Sequence, residues 1–411
     1  MFMIKMILTG QEKCPYNLFT KILVYAILVK TSILQKGGSM KKIYIKILNC
    51  FFMFVVCISF ASCFTSKTVE YTELGIPLSE RYIQGVRARC PWDMYIWDGK
   101  IYIGSGDYDS NAGPVDIWAY DTENKAWENT GTVPDEEVSR FLVMDGKLTV
   151  PGIDPKDDWT FGNYYVLENG EWCTIRAISG GLHNFDMVEY QGMIFAGLGV
   201  YSGEYPIVCS RDGGKTFTPI QMQKDGKAFD TSGSEVVRIS DLFVFDGSLY
   251  AAFRYGDTEI TYDLYKYENG VFVYDNQLYQ KIHQIKFFNS IIASKTEFKC
   301  NMFFTTGYLY ATSDMSDFTR VSFPNSEIVY DLYVKDDILY ALCGVKQSDG
   351  KYKVSVWKNS SGQTLAFSEA FNFVYDIPPM SMVYDGDTFY IGMGDGNSDN
   401  NKNGMIISVN N

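Results

Sequence analysis

Signatures of catalysis and metal binding are what this chain of 411 residues has least of. Its only two histidines, His183 and His283, stand far apart, so a metal site or proton shuttle formed by the two together is disfavoured and ordinary loop histidines are the simpler reading. Nine cysteines are present, but the five beyond Cys63 (Cys90, Cys173, Cys209, Cys300, Cys343) are odd in number and never spaced CxxC. Neither a full disulfide framework nor a zinc site is therefore indicated. Cations are also short, at 36 Lys and Arg against 49 Asp and Glu. The first 62 residues hold eight lysines and one acidic residue, so removing them leaves 28 basic against 48 acidic groups, a net charge of −20 compared with −13 for the whole chain. Phosphate binding needs clustered cations, so nucleic acid is not an expected partner. No amphipathic helix of ordinary length follows the N-terminal region.

What the chain does have is one phrase repeated seven times: an alternating apolar run, a tight turn, and a second apolar run ending in small residues. The turns read Asp98-Gly99, Asp145-Gly146, Gln191-Gly192, Asp246-Gly247, Asn289-Ser290, Asp336-Asp337 and Asp385-Gly386. Asp-Gly between alternating runs is a hairpin signal, and a recurring unit of this length means a repeat architecture. Each unit reads as four strands; in the first these are 94–97, 101–103, 115–120 and 126–133. A polar turn followed by an aromatic closes the third strand, as in Asp121 to Asn124 before Trp127 and Glu168-Asn169-Gly170 before Trp172. Four-stranded antiparallel units in series are propeller blades.

The last unit supplies only three strands, whereas Val69 to Pro77 resembles the fourth strand of the first unit, Ala126 to Pro134, down to the closing proline. The expectation is an all-β, seven-bladed propeller over residues 69–411, closed by an N-terminal strand that joins the last blade and removes an exposed sheet edge.

The first 68 residues read as an address. Met40-Lys41-Lys42 with Lys46 is a basic start, Ile47 to Phe60 an apolar stretch too short to span a bilayer comfortably, and Phe60-Ala61-Ser62-Cys63 supplies small residues before a cysteine. This resembles a bacterial lipoprotein signal, which implies lipidation of Cys63, a membrane partner through that anchor, and a location in the cell envelope outward of the cytoplasmic membrane. A plain secretory signal or an anchor helix is the alternative. Residues 40–62 are then the signal and 63–68 a linker. Residues 1–39 carry a second apolar stretch and five lysines, and Lys36-Gly37-Gly38 could be encoded by a purine-rich ribosome-positioning string. They read as an upstream extension, with translation starting at Met40.

Ser210-Arg211-Asp212-Gly213-Gly214-Lys215-Thr216-Phe217 looks like the Asp box, Ser-x-Asp-x-Gly-x-Thr-Trp, with Phe for Trp; Ser313-Asp314 to Phe318 is a degenerate relative. The chain thereby resembles the Asp-box propellers, which include sialidases and many non-enzymatic repeat proteins. The resemblance implies a structural turn between third and fourth strands. Sialidase chemistry would further imply an arginine triad, a tyrosine–glutamate nucleophile pair and an acid/base aspartate. The Arg-Ile-Pro motif marking the first arginine is absent, the nearest segment being Arg87-Ala88-Arg89-Cys90-Pro91, and no spacing selects Arg140, Arg238 or Arg254 as the others.

Five residues before each hairpin turn stand Asp93, Arg140, Asp186, Asp241, Gln284, Asp331 and Met380. Innermost strands run parallel around a propeller axis, so these side chains should ring one mouth of the channel. Each aspartate either caps its own interblade loop or belongs to a ligand-binding ring. His183, Trp92, Trp159, Phe185 and Tyr330 flank the same face, and aromatics beside carboxylates suit a sugar. Two loops there, Asp107, Asp109 and Asn111, and Asp395, Asn397 and Asp399, alternate hard oxygens in the way a Ca²⁺ loop does, although neither has the Gly and Glu of an EF-hand. Solvated Asn/Asp loops are the plain alternative. No cofactor is firmly indicated. The expected function is an envelope-anchored lipoprotein binding a ligand, either a glycan or an envelope or host protein, on its channel face. A sialidase-like glycosidase and a scaffold subunit are the alternatives.

Overall fold

Hairpins set the architecture. At Asp98-Gly99, Asp145-Gly146, Gln191-Gly192, Asp246-Gly247 and Asp336-Asp337 both turn residues have positive φ, between 46° and 74°, the geometry of a two-residue turn whose twist matches its strands. The computed structural model describes residues 67–411 except 79–84, 157–160, 182, 202–204, 230–235, 256–260, 277–293, 306 and 362–364. Cys63, the signal at 40–62 and the segment 1–39 lie outside the described residues, as do Trp159, His283, Gln284 and the expected Asn289-Ser290 turn.

The chain forms an all-β propeller with four-stranded antiparallel blades, but the expected seven separate blades do not occur. Among the described residues five sheets have four strands each, and a further ten strands join in one curled sheet. The first blade is Asp93–Trp97, Lys100–Gly104, Val115–Asp121 and Ala126–Val133. In the curled sheet the strand Met193–Tyr201 is responsible for the fusion. Its first half pairs with Ile207–Ser210, which is only four residues long, and Leu198 N–H still donates to the Pro206 carbonyl, after which the strand has left that partner. Gly199 to Tyr201 turn to Val236 to Arg238 of the next inner strand instead, so two neighbouring units become one ladder. By contrast Ile338–Lys346 is equally long, but Tyr352–Asn359 matches it residue for residue and that blade stays discrete. Met222–Lys224 adds a parallel strand outside Val271–Asn276 and extends the curled sheet further.

In the last blade the outermost strand is Thr72–Gly75, antiparallel to Met405–Asn410. The chain ahead of it is held as well: Val69 N–H donates to the Asn372 carbonyl and Asn372 N–H to that of Lys67, both 3.0 Å. Tyr71 packs in tilted contact with Phe373 and edge-on to Tyr375, and the Tyr375 hydroxyl donates to Glu73. Apolar side chains fill the wedges between adjacent sheets, as where Tyr102, Val115 and Ile117 meet Leu148, Val150 and Tyr165. In the Ser210 to Phe217 turn, Asp212 accepts from Lys215 N–H, Thr216 N–H and the Thr216 hydroxyl, while Phe217 packs on Tyr164. The same arrangement recurs at Asp314, with Thr312 taking the part of Ser210. The role of both turns is local and structural.

Candidate functional site

Inner strands enclose a cavity of about 560 Å³ along the propeller axis. The ring position is built by a recurring staple between neighbouring inner strands. Asp93 Oδ1 accepts from Met94 N–H and Oδ2 from Phe141 N–H in the next blade, at 2.9 and 2.7 Å. Asp186 does the same with Met187 and Leu242, and Asp331 with Leu332 and Met382. The expectation that each aspartate caps its own loop is thereby corrected, because one oxygen serves its own strand and the other reaches the following sheet. A carboxylate accepts at both oxygens at once, which is why aspartate suits this position.

The blade containing Ser294–Phe298 and Asn301–Thr305 turns at Lys299-Cys300. Its ring position is therefore Ser294, whose hydroxyl accepts from Leu332 N–H at 3.3 Å, and not Gln284.

Four inner strands carry a register shift immediately before the ring, at Asn184/Asp186, Ile239/Asp241, Val329/Asp331 and Pro379/Ser381, so the ring position of the last blade is Ser381 and not Met380. Such bulges re-aim side chains. The extra residues Phe185, Ser240, Tyr330 and Met380 all line the cavity. An aromatic and its neighbouring aspartate can therefore face the same channel, which plain strand alternation forbids.

The ring divides electrostatically. On one side Lys295 Nζ lies 2.5 Å from Asp186 Oδ2 and 2.9 Å from Asp241 Oδ1, while Arg140 reaches the same two carboxylates at 2.7 and 3.4 Å. Burial alone would raise Asp186, but Arg140 and Lys295 more than offset it and hold the carboxyl below its usual range. On the other side burial pushes Asp93 up to about 6, against hydrogen bonds from Phe141 and Met94 and the charge of Arg140. Burial, with the charge of Asp93, likewise pushes Asp331 up to about 7. Sequence reasoning missed Lys295 because it put this blade's turn at Asn289-Ser290 and its ring residue at Gln284; in the other hairpins the residue after the ring is apolar, as at Met94, Phe141, Met187, Leu242 and Leu332.

At the mouth, Trp92, Tyr108 and Phe185 line the cavity with Arg87, Glu137 and Arg238. The loop carrying Tyr108 lies tight on the chain at Glu136 and Glu137. A Cβ on Gly106 would come 2.3 Å from the Glu136 carbonyl, and its φ of 117° also requires glycine. Trp92 donates from Nε1 to the Gly106 carbonyl, and Tyr108 N–H donates to Glu137. Burial and the nearby carboxylates push Glu137 up to about 8 despite the Tyr108 bond. His183 is buried behind this wall, with Nδ1 2.6 Å from the Ile153 carbonyl and its ring against Phe185. Burial pulls its pKa down, and it does not line the cavity.

The oxygen-rich loops are occupied by the protein's own donors. Asp107 caps Ser110 N–H, and Arg87 reaches Asp109 at 3.0 Å and Asp107 at 3.8 Å. Asp399 accepts from Arg87 N–H, Asn111 from Lys156, and Asp395 from Asn397 N–H and the Ser398 hydroxyl. Among the described residues no group of three or more His, Cys, Asp or Glu side chains is arranged to hold a metal ion. The Arg87 guanidinium supplies positive charge beside Asp107 and Asp109, and its backbone N–H serves Asp399, where the sequence suggested Ca²⁺.

Solved structures with a similar backbone include a protein described as an ulvan lyase of a new polysaccharide lyase family, at TM-score 0.44 and 13% identity over 84% of this chain and 94% of that one. BamB from Moraxella catarrhalis is similar at TM-score 0.39 and 11% identity, over 78% and 84%. A chain of the mitotic checkpoint complex is similar at TM-score 0.45 and 10% identity, over 84% and 98%. No family profile matches the chain, and no curated protein does.

Proposed function

We propose that this protein is a lipid-anchored envelope protein that binds a glycan at the mouth of its channel. The observation that carries the reading is a cavity of about 560 Å³ in which Trp92, Tyr108, Phe185 and Tyr330 stand beside charged side chains. Flat apolar surface next to hydrogen-bonding groups is what a sugar ring requires, and the volume suits one or two rings. The anchor follows from the signal ahead of Cys63. A glycan array probed with the purified protein tests the reading. Binding that is lost in Trp92→Ala and Phe185→Ala supports it, and a blank array overturns it.

A glycosidase is the second reading, favoured by one group. Glu137, raised to about 8, keeps its proton at neutral pH inside the cavity, as a general acid must. Turnover of fluorogenic glycosides that disappears in Glu137→Gln would establish it. Silence across the panel would remove it.

A further inference from the structure

Resting on the reading of the channel as a glycan site, we infer that the glycan carries a protonated amine, seated between Asp93 and Asp331. Both aspartates line the cavity half-buried, and neither makes an ion pair among the described residues. The two ring cations are committed elsewhere, Arg140 and Lys295 each lying against Asp186 and Asp241, so Arg140 acts on Asp93 only from beyond ion-pair distance. Around the cavity as a whole seven carboxyl groups face four cationic side chains, so the wall does not answer the surplus at another point.

The last blade lies between these two aspartates and brings no charge. Its ring residue Ser381 is 1% exposed, and its hydroxyl donates to the Pro91 carbonyl at 2.7 Å. Met380 and Met382, on either side of Ser381, line the cavity with neutral thioethers. The aromatic wall points independently to a cation. The two strands read Trp92-Asp93-Met94-Tyr95 and Tyr330-Asp331-Leu332-Tyr333, and all four rings line the cavity. Neither Asp186 nor Asp241 is framed by aromatics on both sides in this way, since Val188 follows the first and Ser240 precedes the second. Tyr333 is raised by burial and then by Tyr95, which places the two phenols together. Ring faces attract a cation and carboxylates pair with it, whereas a neutral hydroxyl gains little from a second carboxylate. Burial without a paired cation leaves Asp93 raised to about 6 and Asp331 to about 7, and an ammonium between them favours their ionised forms. On a glycan this chemistry is the free amine of a deacetylated hexosamine.

The test is calorimetric titration of the purified full chain in mild detergent with chitotetraose, its fully N-acetylated form and maltotetraose. The first carries free amines, and the other two are neutral. Chitotetraose should bind, more weakly as salt rises, and at least about tenfold more tightly than either neutral sugar, the usual worth of a charge-assisted hydrogen bond. Asp93→Asn and Asp331→Asn should each weaken chitotetraose by about tenfold and leave the acetylated sugar unchanged. Should neither variant fold, the ordering of the three sugars on the wild type, with the salt dependence, decides. Equal binding of a neutral sugar, unchanged chitotetraose affinity in folded variants, or an array positive only for glycans without amines overturns the inference and leaves a glycan site. Failure of all three sugars together with a blank array overturns both.

Discussion

Replacing Lys295 by methionine isolates the electrostatics of the ring. Lys295 Nζ sits between Asp186 and Asp241, whose side chains are 1% and 0% exposed. Without it these two carboxylates share Arg140 alone, and a net negative charge is left buried. Removing one partner of a buried ion pair costs about 3–5 kcal/mol. Protonating one carboxylate instead does not escape the cost, because moving its pKa from about 4 to above 7 is worth about 1.4 kcal/mol per unit. For the unit Lys67–Asn411, an unfolding entropy of about 2.1 cal/mol/K per residue gives about 0.7 kcal/mol/K, so the melting temperature should fall by about 4–7 °C at pH 7. Adding Asp241→Asn removes the surplus charge and should recover at least half of the loss. The pH dependence has a definite sign. The folded pKa of Asp186 lies below its ordinary value, so the stability it contributes is present above about pH 4 and lost as pH falls through the folded value. The gap between wild type and Lys295→Met should therefore narrow in acid. Scanning calorimetry reads all of this. A shift under about 1 °C, or no recovery in the double variant, would show that the ring cations do not neutralise the two aspartates.

Deleting residues 67–77 removes the outermost strand of the last blade, the Asn372 bonds and the Tyr71 ring contacts, and should lower the melting temperature by about 5 °C or more or cause aggregation; unchanged melting and solubility would refute it. Asp331 has a folded pKa of about 7, so the stability of its neutral form is complete below about pH 4 and lost as pH rises through 7. Relative to Asp331→Asn, which never ionises, wild type should melt progressively earlier between pH 5 and pH 8, and a constant difference across that range would sink the assignment. Cys63→Ser should release a soluble, folded protein or leave an unprocessed precursor; unchanged partitioning into detergent would dispose of the lipid anchor.

Much of the scaffold was legible without coordinates because it is local. Asp-Gly turns with positive φ follow from two residues, and the spacing from turn to Asp93, Asp186, Asp241 and Asp331 follows from strand length. The match between Val69 to Pro77 and the first unit's fourth strand placed the N-terminal segment beside Met405–Asn410. The turn at Lys299-Cys300 lacks the Asp-Gly signal, so the ring position Ser294 and its neighbour Lys295 were displaced in the sequence reading. The count of separate blades went astray because pairing of Gly199 to Tyr201 with Val236 to Arg238 depends on which edge is left uncovered in space, and no residue pattern announces that. The bulges that turn Phe185 and Tyr330 into the cavity break the alternation on which strand reading depends. Arg87 meets Asp399 from the far end of the chain, and Arg238 faces Tyr108 from a different sheet. Hairpins and turns are decided by neighbours in the chain. The charge and the shape of the mouth are decided by residues that only ring closure brings together, so only the tertiary structure could reveal them.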